Sequence, residues 1–142
     1  MTNPAKSARP EFRNINAFTD LPRYRLPAAG WVSILHRISG LVMFILLPFV
    51  IWMFDTSVSS ELSFDTFKAA FNSGVTGVLY KLFALALIWA YLHHFIAGVR
   101  HLWMDMSHKA VSKEFGSVSA KITLTVSLLL TLALGLKLFG VY

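Results

Sequence analysis

The sequence lacks cysteine altogether and carries few charged side chains. Without a thiol, the chain has no disulfide, no zinc–thiolate site and no cysteine-ligated iron–sulfur cluster of its own. Charged residues make up 14% of the 142 residues, against about 25% in a typical soluble domain, whereas 56% are hydrophobic and the mean hydropathy is +0.60. So few polar side chains cannot cover the surface of a soluble domain, and the composition indicates a single-domain membrane protein.

The net charge of +6 arises without a basic run interleaved with aromatic residues, so no nucleic-acid partner is expected. In a membrane protein such an excess of Lys and Arg orients the chain. The basic residues are concentrated in the polar residues 1–28 and in the loop after the second apolar segment. We therefore predict a cytoplasmic N-terminal tail over 1–28, a cytoplasmic second loop and an outer C-terminus. The polar start also argues against a signal peptide.

Three apolar segments are long enough to cross a bilayer, which takes about 20 helical residues. They predict helices over about 29–54, 78–104 and 120–141. The fold class is therefore an all-α membrane protein, in which residues 29–142 form a domain of three transmembrane helices. Pro48 interrupts the first segment and predicts a kink near Phe44.

Small residues recur every four positions along the third segment: Ser119, Thr123, Ser127, Thr131 and Gly135. Such a stripe is typical of close packing against another membrane helix. Since three helices alone bury little of such a surface, a partner subunit is expected.

His94 is the most unusual polar residue of the second segment. It lies six residues before Arg100, which is about 9 Å deeper at about 1.5 Å per helical residue. An imidazole at that depth is costly without a partner, so it is a candidate functional residue. Ala90 and Gly98 share its face and leave a recess that suits a haem held edge-on, with the imidazole as axial ligand. The same pattern fits a hydrogen-bonded histidine between closely packed helices.

The neighbouring histidines are less distinctive. His101 shares the face of His94 nearer the headgroups, where it could bond a haem propionate or a ligand at the cytoplasmic rim. His93 points about 100° away from His94 and is expected to be structural. A six-coordinate haem needs a second axial ligand, which would come from His36 or from another subunit.

A polar group opens the first segment. Ser33, His36 and Arg37 occupy positions i, i+3 and i+4 of one helix face, and Gly40 continues that face and permits close approach. A guanidinium near hydrocarbon needs an anionic or strongly polar partner. A haem propionate fits, and so does a quinone carbonyl with Ser33 as a second donor. An arginine that snorkels at the membrane edge is the alternative without a ligand.

Two stretches resemble the signature motifs of the cytochrome b membrane-anchor subunit of bacterial succinate dehydrogenase, complex II. They are SILHRISG, residues 33–40, preceded by Tyr24 and Pro27, and HFIAGVRHLWMD, residues 94–105. The size, the three spans and the early Arg9-Pro10 are similar as well, so the likeness covers nearly the whole chain. The resemblance implies a multi-pass subunit of the bacterial cytoplasmic (inner) membrane, which packs with a second, small anchor subunit into a helical bundle.

The resemblance also implies roles for individual residues. His94 matches the axial ligand of haem b, whose second ligand comes from the small anchor subunit. Ser33 and Arg37 match ubiquinone-site positions, and His36 and Arg37 match positions near the haem propionates. His101 matches a motif position at the haem rim.

The implied function is electron transfer from succinate to ubiquinone, a step of the tricarboxylic acid cycle, by a subunit that is not catalytic alone and holds no catalytic residue. A flavoprotein subunit and an iron–sulfur subunit are the implied soluble partners, because this chain has no flavin or cluster motif. One alternative is a haem anchor of another quinone-linked dehydrogenase or of fumarate reductase. The other is a haem-free structural membrane anchor.

Overall fold

The computed structural model describes residues 15–16 and 18–141 of the chain. Most of the predicted tail, including Arg9 and Pro10 of the motif resemblance, lies outside the described residues. The described part contains five α-helices and two 3₁₀ turns, at Leu21–Arg23 and His108–Val111, and no strand. The α-helices are α1 (Ala28–Ile45), α2 (Leu47–Val58), α3 (Glu61–Phe71), α4 (Gly74–Met106) and α5 (Lys113–Leu138). The prediction of an all-α fold is confirmed.

Three of these helices, α1, α4 and α5, are long and apolar enough to cross a membrane. The longest, α4, has 33 residues and is about 50 Å long at about 1.5 Å per residue. Many large apolar side chains point away from the bundle, such as Phe44, Phe95 and Leu129, which are 74%, 59% and 60% exposed. A soluble protein rarely exposes so much apolar surface, so these faces lie against lipid or another membrane chain. The prediction of three transmembrane helices is confirmed.

The first span breaks at Leu46, where the backbone has φ −86° and ψ 5°. Proline has no N–H to donate to the carbonyl four residues earlier, and its ring clashes with that carbonyl, which here belongs to Phe44. A new helix, α2, starts at Leu47 with Pro48 in its first turn, where a proline is tolerated. The predicted kink is confirmed as a complete break two residues after Phe44.

The helices α4 and α5 begin earlier than the apolar segments that predict them, at Gly74 instead of about 78 and at Lys113 instead of about 120. The first turn of α5 carries Lys113 and Glu114, and that of α4 contains two glycines and a threonine, so neither adds to an apolar segment. Hydropathy marks only the part of a helix that matches hydrocarbon. The start of α5 is stabilised by Ser112, whose side-chain oxygen accepts a hydrogen bond from the Phe115 N–H at 3.3 Å.

α4 is central and contacts α1, α3 and α5. The interior of the bundle is made of small side chains, with Val32, Ala97 and Ala120 fully buried. The small-residue stripe of α5 packs into this interior: Ser127 is fully buried and Thr123 is 3% exposed. A Cβ on Gly135 would lie 3.0 Å from Leu85 Cδ1 of α4. The stripe therefore packs against another helix as predicted, and that helix belongs to the same chain.

Candidate functional site

Three imidazoles meet where the middle of α1 lies beside the C-terminal half of α4. The rings of His36 and His94 are stacked, with centroids 4.1 Å apart and planes 20° from parallel. The ring of His101 is tilted by 48° to that of His36, at 5.3 Å. The structure therefore brings together the three histidines that the sequence singles out on two separate helices.

The hydrogen bonds of His94 fix its tautomer. Ser39 is fully buried, and its hydroxyl donates to the carbonyl oxygen of His36 at 2.7 Å. His94 Nδ1 lies 3.1 Å from the same carbonyl and 3.2 Å from Ser39 Oγ. A carbonyl only accepts, so the arrangement requires a proton on Nδ1 that is donated to it. In the neutral imidazole Nε2 then carries no proton, and it forms no hydrogen bond with the described residues.

Two glycines set the spacing between the helices. A Cβ on Gly40 would lie 3.2 Å from His94 Cε1, closer than an ordinary contact, so its absence lets α1 approach the imidazole. A Cβ on Gly98 would lie 3.8 Å from His36 Nε2. The recess that the sequence predicts beside His94 is therefore partly filled by the His36 ring, and Ala90 is fully buried between helices.

The donor set fits a haem that takes one imidazole from this chain. A histidine ligand needs an unprotonated nitrogen on the metal side and benefits from an N–H donated to a carbonyl on the other. His94 has both. His36 Nε2 is buried without a hydrogen-bond partner among the described residues. This is unusual, because buried polar atoms in proteins are normally hydrogen-bonded.

Ser33 and Arg37 lie near the start of α1, with Arg37 exposed and Ser33 half-buried. Neither side chain forms a hydrogen bond or an ion pair with the part of the chain that the structure describes. Their hydrogen-bonding groups therefore remain available to a ligand or to a partner subunit.

Sequence reasoning missed two polar contacts that build the bundle around this site. Arg100, which marks the membrane edge in the sequence, is only 8% exposed; its Nε donates to Ser119 Oγ at 2.9 Å and its Nη2 to the Gly116 carbonyl at 3.2 Å. His93 is 1% exposed, and its Nδ1 lies 3.1 Å from Ser127 Oγ of α5. The four-residue spacing of the stripe that contains Ser119 and Ser127 was the available signal for both.

Comparison with known proteins identifies the family. The model of the succinate dehydrogenase/fumarate reductase transmembrane subunit family matches residues 12–134. The chain belongs to this family. Among similar proteins is the succinate dehydrogenase cytochrome b556 subunit of Coxiella burnetii, 32% identical over 109 residues, which cover 76% of this chain and 83% of the relative.

Two more relatives carry the same name. The cytochrome b556 subunit of Rickettsia felis is 25% identical over 111 residues, covering 78% of this chain and 82% of the relative. That of Paracoccus denitrificans is 31% identical over 85 residues, covering 60% and 62%. The prediction from the two motifs is thus confirmed: the chain is a multi-pass transmembrane subunit of a bacterial enzyme complex.

Proposed function

We propose that the chain is the haem b-binding anchor of a succinate dehydrogenase and forms part of the site at which ubiquinone is reduced. The proposal rests mainly on the hydrogen bonding of His94. Its Nδ1–H donates to the His36 carbonyl, and its Nε2 forms no hydrogen bond with the described residues and is available to a ligand. Membership of the family and the cytochrome b556 names of three relatives support the same function.

His94 Nε2 is the proposed axial ligand of haem b, which when bound supplies a one-electron redox centre. The carbonyl of His36 orients the ring and makes Nε2 a stronger electron donor. His36, Arg37 and His101 are the proposed partners of the propionates at the cytoplasmic rim, and the buried Nε2 of His36 would gain a hydrogen bond there. The second axial ligand is proposed to come from the small anchor subunit.

Ser33 and Arg37 are the proposed quinone ligands. The hydroxyl of Ser33 donates to one carbonyl oxygen of ubiquinone, and the guanidinium of Arg37 stabilises the negative charge that develops on that oxygen during reduction. In surroundings with little water such a charge is stabilised far more strongly than in solution. The lack of described partners for both side chains supports this assignment.

The remaining partners follow from what the chain lacks. It has no flavin or cluster motif, so a flavoprotein subunit would oxidise succinate and an iron–sulfur subunit would deliver the electrons. Both would dock at the cytoplasmic ends of α1 and α4, which are the ends nearer to the three histidines.

Replacing Ser33 or Arg37 tests whether these residues act in quinone reduction or only in assembly of the complex. Arg37→Ala and Ser33→Ala are each expected to lower the rate of ubiquinone reduction by succinate about 10- to 100-fold, the loss typical of a hydrogen bond to a charged group. Succinate oxidation with an artificial dye should be nearly unchanged, because the dye takes electrons from the soluble subunits. Lys109→Ala, which removes an exposed cation elsewhere, is the control. An equal loss of both activities would contradict the assignment.

A further inference from the structure

Three lysines converge at the end of the bundle opposite the histidines. Lys68 of α3, Lys81 of α4 and Lys137 of α5 line one cavity of about 570 Å³. The rest of its wall includes three aromatic rings, Phe67, Phe71 and Phe139. Lys81 lies about two turns after the start of α4, at the edge of the apolar segment that predicts the second span.

Two of these cations have no anionic partner in the described part of the chain. The third, Lys68, forms an ion pair with the carboxylate of Asp65, at 2.9 Å from its Nζ. Lys81 is half-buried, and its Nζ lies 5.8 Å from the centroid of the Phe139 ring. Neither Lys81 nor Lys137 forms an ion pair with the described residues. Two unpaired ammonium groups in one cavity repel each other and attract an anion.

The end of α5 does not use these lysines to satisfy its carbonyls. The Gly140 N–H donates to the Lys137 carbonyl at 3.0 Å and the Val141 N–H to the Leu136 carbonyl at 2.9 Å. With Gly140 at φ +74°, these bonds form a Schellman motif, which caps the helix with its own backbone. The lysine side chains therefore remain available to an external ligand.

An apolar groove continues from the basic cavity towards the middle of the bundle. It has a volume of about 410 Å³ and is lined by Leu85, Leu128, Leu132 and Leu136, and it shares Phe139 with the cavity. From Phe139 back to Leu128 is about 16 Å along α5 at about 1.5 Å per residue. A basic cavity joined to an apolar groove of this length has the shape and polarity of an amphiphile with an anionic head.

We propose that the cavity binds the headgroup of an anionic glycerophospholipid, with one acyl chain in the groove between α4 and α5. The phosphodiester would lie between Lys81 and Lys137, and the aromatic rings would contact the glycerol and the first methylenes. This site does not depend on the proposed haem or quinone chemistry, since it lies at the other end of the spans.

The test is native mass spectrometry of the purified complex with phosphatidylglycerol or phosphatidylcholine. The wild-type complex should bind phosphatidylglycerol more tightly. Lys81→Gln with Lys137→Gln should weaken that binding about 25-fold, or about five-fold for each lysine, and leave phosphatidylcholine binding unchanged. Lys109→Gln with Lys121→Gln, which removes two exposed cations elsewhere, should keep the preference. Glycerophosphoglycerol, the headgroup without acyl chains, should bind far more weakly.

Several results would overturn the proposal. One is equal affinity of the wild-type complex for the two lipids, as expected if a partner subunit covers the cavity. Another is an undiminished preference in the double glutamine variant. Equal binding of the free headgroup would identify a phosphate site and not a lipid site. If the glutamine variant does not assemble, Lys81→Arg with Lys137→Arg retains both charges and must retain the preference.

Discussion

Among single residues, Gly40 sets how closely α1 approaches the ring of His94. An added Cβ would lie 3.2 Å from His94 Cε1, and the ring cannot move aside freely because it is stacked on His36 and bonded to the His36 carbonyl. We expect Gly40→Ala to destabilise the complex by about 1–3 kcal/mol, the usual cost of overpacking. The measurement is the thermal denaturation midpoint of the purified complex.

Gly116 provides the matched control, because it also lies in a helix and a Cβ there would meet nothing within 4 Å. Gly116→Ala should leave the midpoint unchanged or raise it slightly, since alanine favours a helix by about 0.5–1 kcal/mol over glycine. Equal midpoints for Gly40→Ala and the wild type would show that the approach of α1 is looser than described.

The depth of His94 in an apolar segment predicts that its ring has a polar partner, because an imidazole in hydrocarbon is costly without one. The partner itself was not predictable. Ser39 occupies an ordinary position on a neighbouring helix, and only the packing of α1 against α4 places its hydroxyl 3.2 Å from His94 Nδ1. The same packing inserts His36 beside Gly98, which the spacing on one helix cannot reveal.

Between elements, the pair α4 and α5 is joined by a buried hydrogen bond. Ser127 Oγ lies 3.1 Å from His93 Nδ1 and 3.1 Å from the Leu124 carbonyl of its own helix. Ser127→Ala leaves Nδ1 of the buried His93 ring without a hydrogen-bond partner, and we expect a loss of about 1–3 kcal/mol. Thermal denaturation of the complex measures it, with Thr125→Ala at an exposed position of α5 as control.

A double variant tests whether the loss comes from the unpaired group. Replacing both partners by apolar residues removes the desolvated polar group, so His93→Leu combined with Ser127→Ala should cost less than the sum of the two single changes. Strict additivity would mean that the two side chains do not interact.

The existence and number of the spanning helices followed from hydropathy, whereas their ends and neighbours did not. The first turns of α4 and α5 lie outside the apolar segments, so the sequence places both starts too late. The stripe on α5 was recognised as a packing surface, but a spacing of four does not say which helix it meets. The hydrogen bond between His93 and Ser127 shows that the stripe packs against α4 of the same chain.

At the scale of the whole molecule, the distribution of Lys and Arg predicts which end of the bundle faces the cytoplasm. The tail carries five of the 13 Lys and Arg residues, and four more lie between Arg100 and Lys121, around the turn that joins α4 to α5. This distribution favours an inner location for both. Alkaline phosphatase fused after Tyr142 should therefore be active in the periplasm, and a fusion after Lys109 should be inactive. The reverse pattern would place the histidines at the outer surface and remove them from any cytoplasmic electron donor.

The most direct test concerns the ligand assigned to haem b. Dithionite-reduced minus oxidised spectra should be recorded for the purified wild-type complex and for His94→Ala and His93→Ala. The two histidines are adjacent in the chain, and neither Nε2 forms a hydrogen bond with the described residues, but that of His93 is buried inside the bundle of this chain. We expect a b-type haem band in the wild type, its loss in His94→Ala and its retention in His93→Ala. A wild-type complex without the band, an undiminished band in His94→Ala, or loss only in His93→Ala would contradict the account.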